Sequence, residues 1–214
     1  MVEKSVIIDA IQKAKESAPE RKFTESVDIT INLKNIDMSQ PKNRIDETIL
    51  LPHGNGSRAK ISVLGSGDIV TQARDAGAEL IMGPDEIERL GGEPREARKV
   101  ASDYRFFLAE TKVMALVGRW LGPRLGPRGK MPQPVPDGVD IRPIVERLRN
   151  SVRVRTKDKM AFSLKVGTTA MSDEQISENI DAVLKRVLDK LESGEFQVRS
   201  VYVKTTMGPA VKVM

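Results

Sequence analysis

Histidine and cysteine supply much of the nucleophilic, proton-shuttling and zinc-binding chemistry of proteins, and this chain has one histidine, His53, and no cysteine. Disulfides, thiolate nucleophiles and cysteine-ligated zinc are therefore excluded. His53 lies in LPHGNG with no second histidine and reads as a hydrogen-bonding residue beside a turn. Gly65 and Gly67 in VLGSGDIVTQA sit between a strand pattern and a helix pattern, where a phosphate-cradling loop would lie. The third glycine of a dinucleotide fingerprint is missing, no Gly-Lys-Ser/Thr follows, and AELIMGP ends without an acidic residue for a ribose. A tight strand-to-helix turn is the better reading. The carboxylate pairs Asp137/Asp140 and Asp85/Glu86 occupy turn and helix-start positions, where they suit the positive end of the helix dipole better than acid/base catalysis.

Two stretches carry a different kind of chemistry. Ser200, Tyr202, Lys204 and Thr206 fall on one face of an alternating strand that runs into Met207-Gly208-Pro209, so hydroxyls, an ammonium and turn backbone come together. Small donors and acceptors of this kind suit ribose hydroxyls and phosphates, although a solvent-facing strand has the same polarity. The second is a Gly/Pro-rich stretch, GPRLGPRGKMPQPVPDG. Residues 119–159 around it carry 11 basic and 4 acidic side chains, whereas the whole chain of 214 residues has 35 and 30. Its net charge of +5 is thus concentrated where backbone and arginine could approach phosphate, or form a solvated basic loop.

The elements that must position these residues follow from periodicity. Val6, Ile7, Ala10, Ile11 and Ala14 recur at helical spacing ahead of Pro19. Val27, Ile29, Ile31 and Leu33 alternate with polar residues, which predicts a half-buried strand, and ETILLPHG predicts another. From residue 61 the rhythm becomes strand, helix, strand, helix: ISVLG, DIVTQARDAG, AELIMG, then a helix opening at Pro84. YRFFLAE and the helical KVMALVGRWL continue it, so the middle reads as an α/β layer with parallel strands. The Gly/Pro-rich stretch reads as an irregular loop. Beyond it come a helix over IRPIVERLRN and strands SVRVRT and MAFSLKVG. Ser172 and Gln175 form a capping box before a helix whose apolar face runs from Ile176 through Leu191 to a stop at Gly194. The first 60 residues hold too few elements for a core, and the tail supplies the same kinds, so the ends can complete one α+β domain around the α/β middle. No apolar run is long enough to span a membrane. The opening residues lack the apolar block of a secretion signal, which points to the cytoplasm.

KFTESVDITINL, LPHGNG, GRWLGPRLGPRGKMPQP and SVYVKTTMGP, in that order over nearly the whole chain, resemble the signatures of the L-one family of large-subunit ribosomal proteins, in its archaeal form. The resemblance implies a discontinuous α+β domain over 1–62 and 157–214 and an inserted Rossmann-like α/β domain over 63–156 that holds no nucleotide. It implies RNA contacts by Lys22, Phe23, Ser26, Asp28, Ser200, Lys204, Thr206, Met207 and Gly208, with no cofactor, metal or catalytic residue. Ser26 and Asp28 stand where the family commonly has threonine and glutamate. Auxiliary RNA contacts are expected from Arg119, Arg124, Arg128 and Lys130. The implied partners are ribosomal RNA of the mobile stalk, exit-site transfer RNA, whose release the protein would assist, and its own messenger, which it would repress. The expected state is ribosome-bound in the cytoplasm, away from membranes, and monomeric when free. The competing readings are a stand-alone RNA-binding regulator and a nucleotide-binding enzyme built on the middle domain.

Overall fold

The computed structural model describes residues 3–19 and 21–214. Along the chain the elements are α1 (Lys4–Glu16), β1 (Ser26–Leu33), β2 (Asp46–Leu50), β3 (Ile61–Leu64), α2 (Asp68–Asp75), β4 (Leu80–Met82), α3 (Pro84–Gly92), α4 (Pro94–Asp103) and β5 (Phe106–Glu110). They continue as α5 (Met114–Trp120), α6 (Gly122–Leu125), β6 (Gln133–Val135), α7 (Arg142–Arg149), β7 (Ser151–Arg155), β8 (Ala161–Thr168), α8 (Asp173–Lys190), β9 (Val198–Thr205) and β10 (Val211–Lys212). The chain divides into two compact units, residues 1–57 with 150–214, and residues 58–149. An antiparallel sheet from both chain ends and a parallel sheet in the middle give the mixed class that the patterns predict.

In the first unit the strand order is β10-β9-β1-β8, all antiparallel. Val27, Ile29, Ile31 and Leu33 of β1 point to one face and are buried with Ile7 and Ile11 of α1, Ile176, Ile180 and Val183 of α8, and Val201 and Val203 of β9. The two helices therefore cover one face of the sheet. Val6, at helical spacing with that stripe, stays 42% exposed. The capping box is present: the Ser172 hydroxyl accepts from the Gln175 N–H, and the Gln175 side-chain oxygen accepts from the Ser172 N–H, each at 3.3 Å. The helix it starts ends at Lys190, earlier than the Gly194 stop read from the sequence, because Leu191 turns to extended backbone while keeping its side chain buried. β2 pairs with β7 in a separate two-stranded sheet, so β7, which a boundary at 157 assigns to the insert, lies in the first unit.

In the second unit the parallel order is β4-β3-β5-β6. Leu64, Phe107 and Ala109 bury into one cluster with α3, α4 and α5, while Ile61, Val63, Phe106 and Leu108 bury into another with α7. Cover on both faces explains why β3 and β5 read as unbroken buried runs. The irregular loop expected over the Gly/Pro-rich stretch is corrected by α6 and by β6, which adds to the edge of the sheet. Pro134 is tolerated there because an edge strand has one side without a ladder partner. The helix opening at Pro84 is two helices, separated at Glu93 because Pro94 disfavours helical backbone in the residue before it.

Candidate nucleic-acid interface

The face of the first sheet opposite the helices is polar. Ser26, Asp28, Thr30 and Asn32 of β1 form its centre line and are half-exposed, as their alternation with the buried residues requires. Strand pairing sets Asp28 beside both Lys204 and Lys165, Thr30 beside Tyr202 and Ser163, and Asn32 beside Ser200. Hydrogen bonds tie the rows together: the Thr30 and Ser163 hydroxyls meet at 2.8 Å, and the Asn32 amide donates to the Ser200 hydroxyl at 2.9 Å. The Lys165 ammonium donates to Ser57 at 3.1 Å. Burial pushes the Asp28 carboxyl above its ordinary value of 3.8, against the opposing pull of Lys204 and Lys165.

At the start of β1 the face runs into the Thr206–Gly208 turn. The Thr206 hydroxyl accepts from the Ser26 N–H at 3.0 Å and donates to the Ser26 carbonyl at 3.3 Å, extending the β1/β9 ladder with a side chain. One lone pair is left to that hydroxyl. The Met207 N–H donates to Glu25 at 3.4 Å and the Gly208 N–H to the Thr205 hydroxyl at 3.1 Å. Among the described residues nothing donates to the Thr206 or Met207 carbonyl. The turn has spent its Met207 and Gly208 donors internally and presents these acceptors. Its tightness also explains Gly208: a Cβ there would overlap the Thr205 hydroxyl and lie 3.2 Å from the Ala18 Cβ.

Of the nine residues expected at the main site, Lys22, Phe23, Ser26, Thr206, Met207 and Gly208 gather at this end, and Asp28 with Lys204 forms the next row. Phe23 is 54% exposed and Met207 60%, which leaves the Phe23 ring available for stacking and the Met207 side chain for apolar contact. Ser200 lies on the same face but six residues along β9, roughly 20 Å away at strand rise, and is 8% exposed. Alternation along the first strand already turns Thr30 and Asn32 outward, though neither was expected at the site, whereas Ser163 and Lys165 were missed because their place on the face depends on which strands pair. Sequence reasoning also missed Glu25, 5% exposed, whose carboxylate holds the Met207 N–H and the Arg21 guanidinium at 3.0 Å.

The four cations expected to assist sit in the second unit. Arg119 is exposed and lies 5.6 Å over the Trp120 ring, and Arg124 is half-exposed on α6. Arg128 donates to the Arg98 carbonyl at 3.0 Å and the Ser102 hydroxyl at 2.8 Å. The Lys130 ammonium donates to the carbonyls of Ala101 at 2.7 Å, Ser102 at 3.4 Å and Tyr104 at 2.7 Å, so its three donors close the end of α4. Burial, then the Arg128 and Arg105 charges, depress its ammonium pKa.

The remaining motifs resolve into internal structure. His53 meets Glu178 at 2.6 Å. The buried Asn179 side chain fastens LPHGNG to the sheet by accepting from the His53 N–H at 3.1 Å and donating to the Gly54 and Val166 carbonyls at 2.7 and 2.8 Å. At the Gly65/Gly67 turn the Glu110 carboxylate accepts from the Ser66 N–H at 3.0 Å and lies 3.2 Å from where a Gly65 Cβ would be. A carboxylate thus occupies the turn in which a nucleotide phosphate would be cradled, and it would repel one.

The family profile described as "Ribosomal protein L1p/L10e family" matches residues 12–209. The protein "Large ribosomal subunit protein uL1" of Methanospirillum hungatei is 83% identical over 213 residues, covering 100% of this chain and 99% of the relative. Proteins of the same description from Methanocorpusculum labreanum and Archaeoglobus fulgidus are 71% and 45% identical, each with 100% of both chains covered. Family match and full-length identity together place the chain in the ribosomal protein L1p/L10e family.

Proposed function

We propose that this chain is a large-subunit ribosomal protein that binds ribosomal RNA of the mobile stalk through the uncovered sheet face and the Thr206–Gly208 turn, acting by binding and not by catalysis. The observation that carries the reading is the turn's chemistry. The Met207 and Gly208 N–H groups are bonded inside the protein, while among the described residues the Thr206 and Met207 carbonyls accept no hydrogen bond and one Thr206 lone pair is left as an acceptor. Acceptors suit the 2′-hydroxyl donors that RNA has and DNA lacks. Phe23 and Met207 offer exposed apolar surface to bases, and Lys22 and Lys204 attract phosphate. The Asp28–Lys204–Lys165 row leaves little net charge on the strip, so most selectivity is assigned to shape and hydrogen bonding.

The same site is assigned the messenger that the protein would repress, since an RNA mimicking the ribosomal target would meet the same groups. Assistance to exit-site transfer RNA, on ribosomes in the cytoplasm, completes the proposal, with Arg119 and Arg124 as the more available of the auxiliary cations. Lys130 and Arg128 are assigned first to holding α4. The test is equilibrium binding of the full chain to a stalk ribosomal RNA fragment and to DNA of equal length, for wild type and Thr206→Ala. RNA-selective binding weakened by the substitution supports the site; equal binding to DNA, or indifference to Thr206, overturns it.

A further inference from the structure

The second unit holds a cluster of cations that the reading above does not use. β3 and β5 are parallel neighbours with Ile61 beside Phe106, and the backbone bond from the Arg105 N–H to the Lys60 carbonyl, 2.9 Å, extends that pairing to the residues just before each strand. Ile61 and Phe106 point into the α7-side cluster, so alternation turns Lys60 and Arg105 toward the other face, the one α4 covers. Lys130 and Arg128 are anchored at the end of α4 on that same face. Lys60 is exposed and Arg105 half-exposed, and among the described residues neither side chain has a hydrogen-bond or ion-pair partner. Burial depresses the Arg105 guanidinium pKa, with no carboxylate acting against it.

Like charges side by side on neighbouring strands repel, and the carbonyls of α4 are already taken by Lys130 and Arg128. A partner that removes this repulsion must be anionic. It must also bridge an ammonium and a planar guanidinium across one strand spacing, roughly 5 Å, which is a phosphate oxygen pair's geometry. We propose that Lys60 and Arg105, backed by Arg128, form a phosphate-binding corner at the entry edge of the parallel sheet, and that it takes a backbone phosphate of RNA. The proposal rests on the chain's being an RNA-binding protein, but it uses a site separate from the sheet face. Lys130 is the positioning residue: its bonds to Ala101 and Tyr104 fix the junction from which Arg105 projects.

The experiment measures binding of the full chain to a large-subunit ribosomal RNA transcript across a potassium chloride series, for wild type, Lys60→Gln/Arg105→Gln and Thr206→Ala. Each phosphate contact contributes about 0.7–0.9 to the slope of log K against log salt. The double variant is expected to lower the slope by about one contact's worth, to weaken binding at low salt several-fold, and to keep the preference for RNA over DNA. Thr206→Ala is expected to weaken binding at an unchanged slope. An unchanged slope in the double variant overturns the corner, whereas an inert Thr206→Ala overturns the sheet-face reading and leaves the corner's slope as its own result. A parallel melting series with inorganic tripolyphosphate keeps the test independent of RNA. Wild type should be stabilised more than the double variant; equal stabilisation counts against the corner, and a response to tripolyphosphate without a change in RNA slope makes it a free-phosphate site, overturning the RNA assignment.

Discussion

Gly208→Ala adds one methyl group to the centre of the proposed RNA site, and the structure sets what that should cost. The new Cβ would overlap the hydroxyl of Thr205, which is fully buried, and would lie 3.5 Å from the Thr205 Cβ and 3.2 Å from the Ala18 Cβ. The buried Thr205 side chain has little room to yield, so the turn must move outward and stretch the 3.1 Å bond from the Gly208 N–H. Overpacking of this kind costs about 1–3 kcal/mol, and the weakened hydrogen bond adds about 1 kcal/mol. A displaced turn also misplaces the Thr206 and Met207 carbonyls. Losing one or two hydrogen bonds to RNA corresponds to about 1.5–3 kcal/mol, roughly 10–100-fold in affinity. Thermal or urea unfolding reads the first quantity and equilibrium RNA binding the second. Thr205→Ala in the Gly208→Ala background removes the overlapping oxygen, and the pair should couple by recovering part of the stability. A Gly208→Ala protein with wild-type stability and affinity, or no coupling to Thr205, would refute the reasoning.

Glu25→Ala removes the acceptor for the Met207 N–H and the partner of Arg21, so it should cost about 2 kcal/mol in urea unfolding and lower RNA affinity; Glu25→Gln, which keeps an acceptor, should retain most of the affinity. Lys130→Met should cost about 2 kcal/mol in the same assay by freeing the carbonyls at the end of α4, while RNA preference over DNA stays unchanged. For Asp28 the sign runs through the raised pKa. The folded state binds the proton more tightly than the unfolded chain, so the ionised carboxylate is a stability cost present above the folded pKa and relieved as pH falls through it. Asp28→Asn is therefore expected to unfold at higher urea than wild type at pH 7, with the gap closing as pH falls through that raised pKa toward 3.8; a gap that widens on acidification contradicts the burial argument.

Much of the fold was legible because local signals agreed with tertiary demands. The alternation of Val27, Ile29, Ile31 and Leu33 marks the buried side of β1, and Ser172 with Gln175 marks the start of α8. What stayed illegible is what depends on distant partners. Nothing near Lys130 announces that its ammonium closes a helix 29 residues earlier in sequence, so a lysine in a Gly/Pro-rich stretch reads as a phosphate ligand when its donors are bonded to carbonyls. Glu110 reads as the end of a strand, and only the sheet brings it to the Ser66 N–H. Ser163 and Lys165 join the polar face because β8 pairs with β1, a choice that periodicity leaves open. The Thr206–Gly208 turn was visible as a motif, but its acceptor character was not, since that follows from Glu25 and Thr205 consuming the Met207 and Gly208 N–H groups. Leu191 kept the helical period of α8 and left the helix, because burial of a side chain does not require helical backbone.

The claim that RNA lies on the first sheet's open face is tested most directly by hydrogen exchange of the full chain with and without a large-subunit ribosomal RNA fragment. RNA on this face should slow exchange in the segments spanning Lys22–Asp28 and Lys204–Gly208, with smaller change at Lys60 and Arg105. Protection confined to the segment from Arg119 to Lys130, or absent from the Thr206–Gly208 turn, would contradict it.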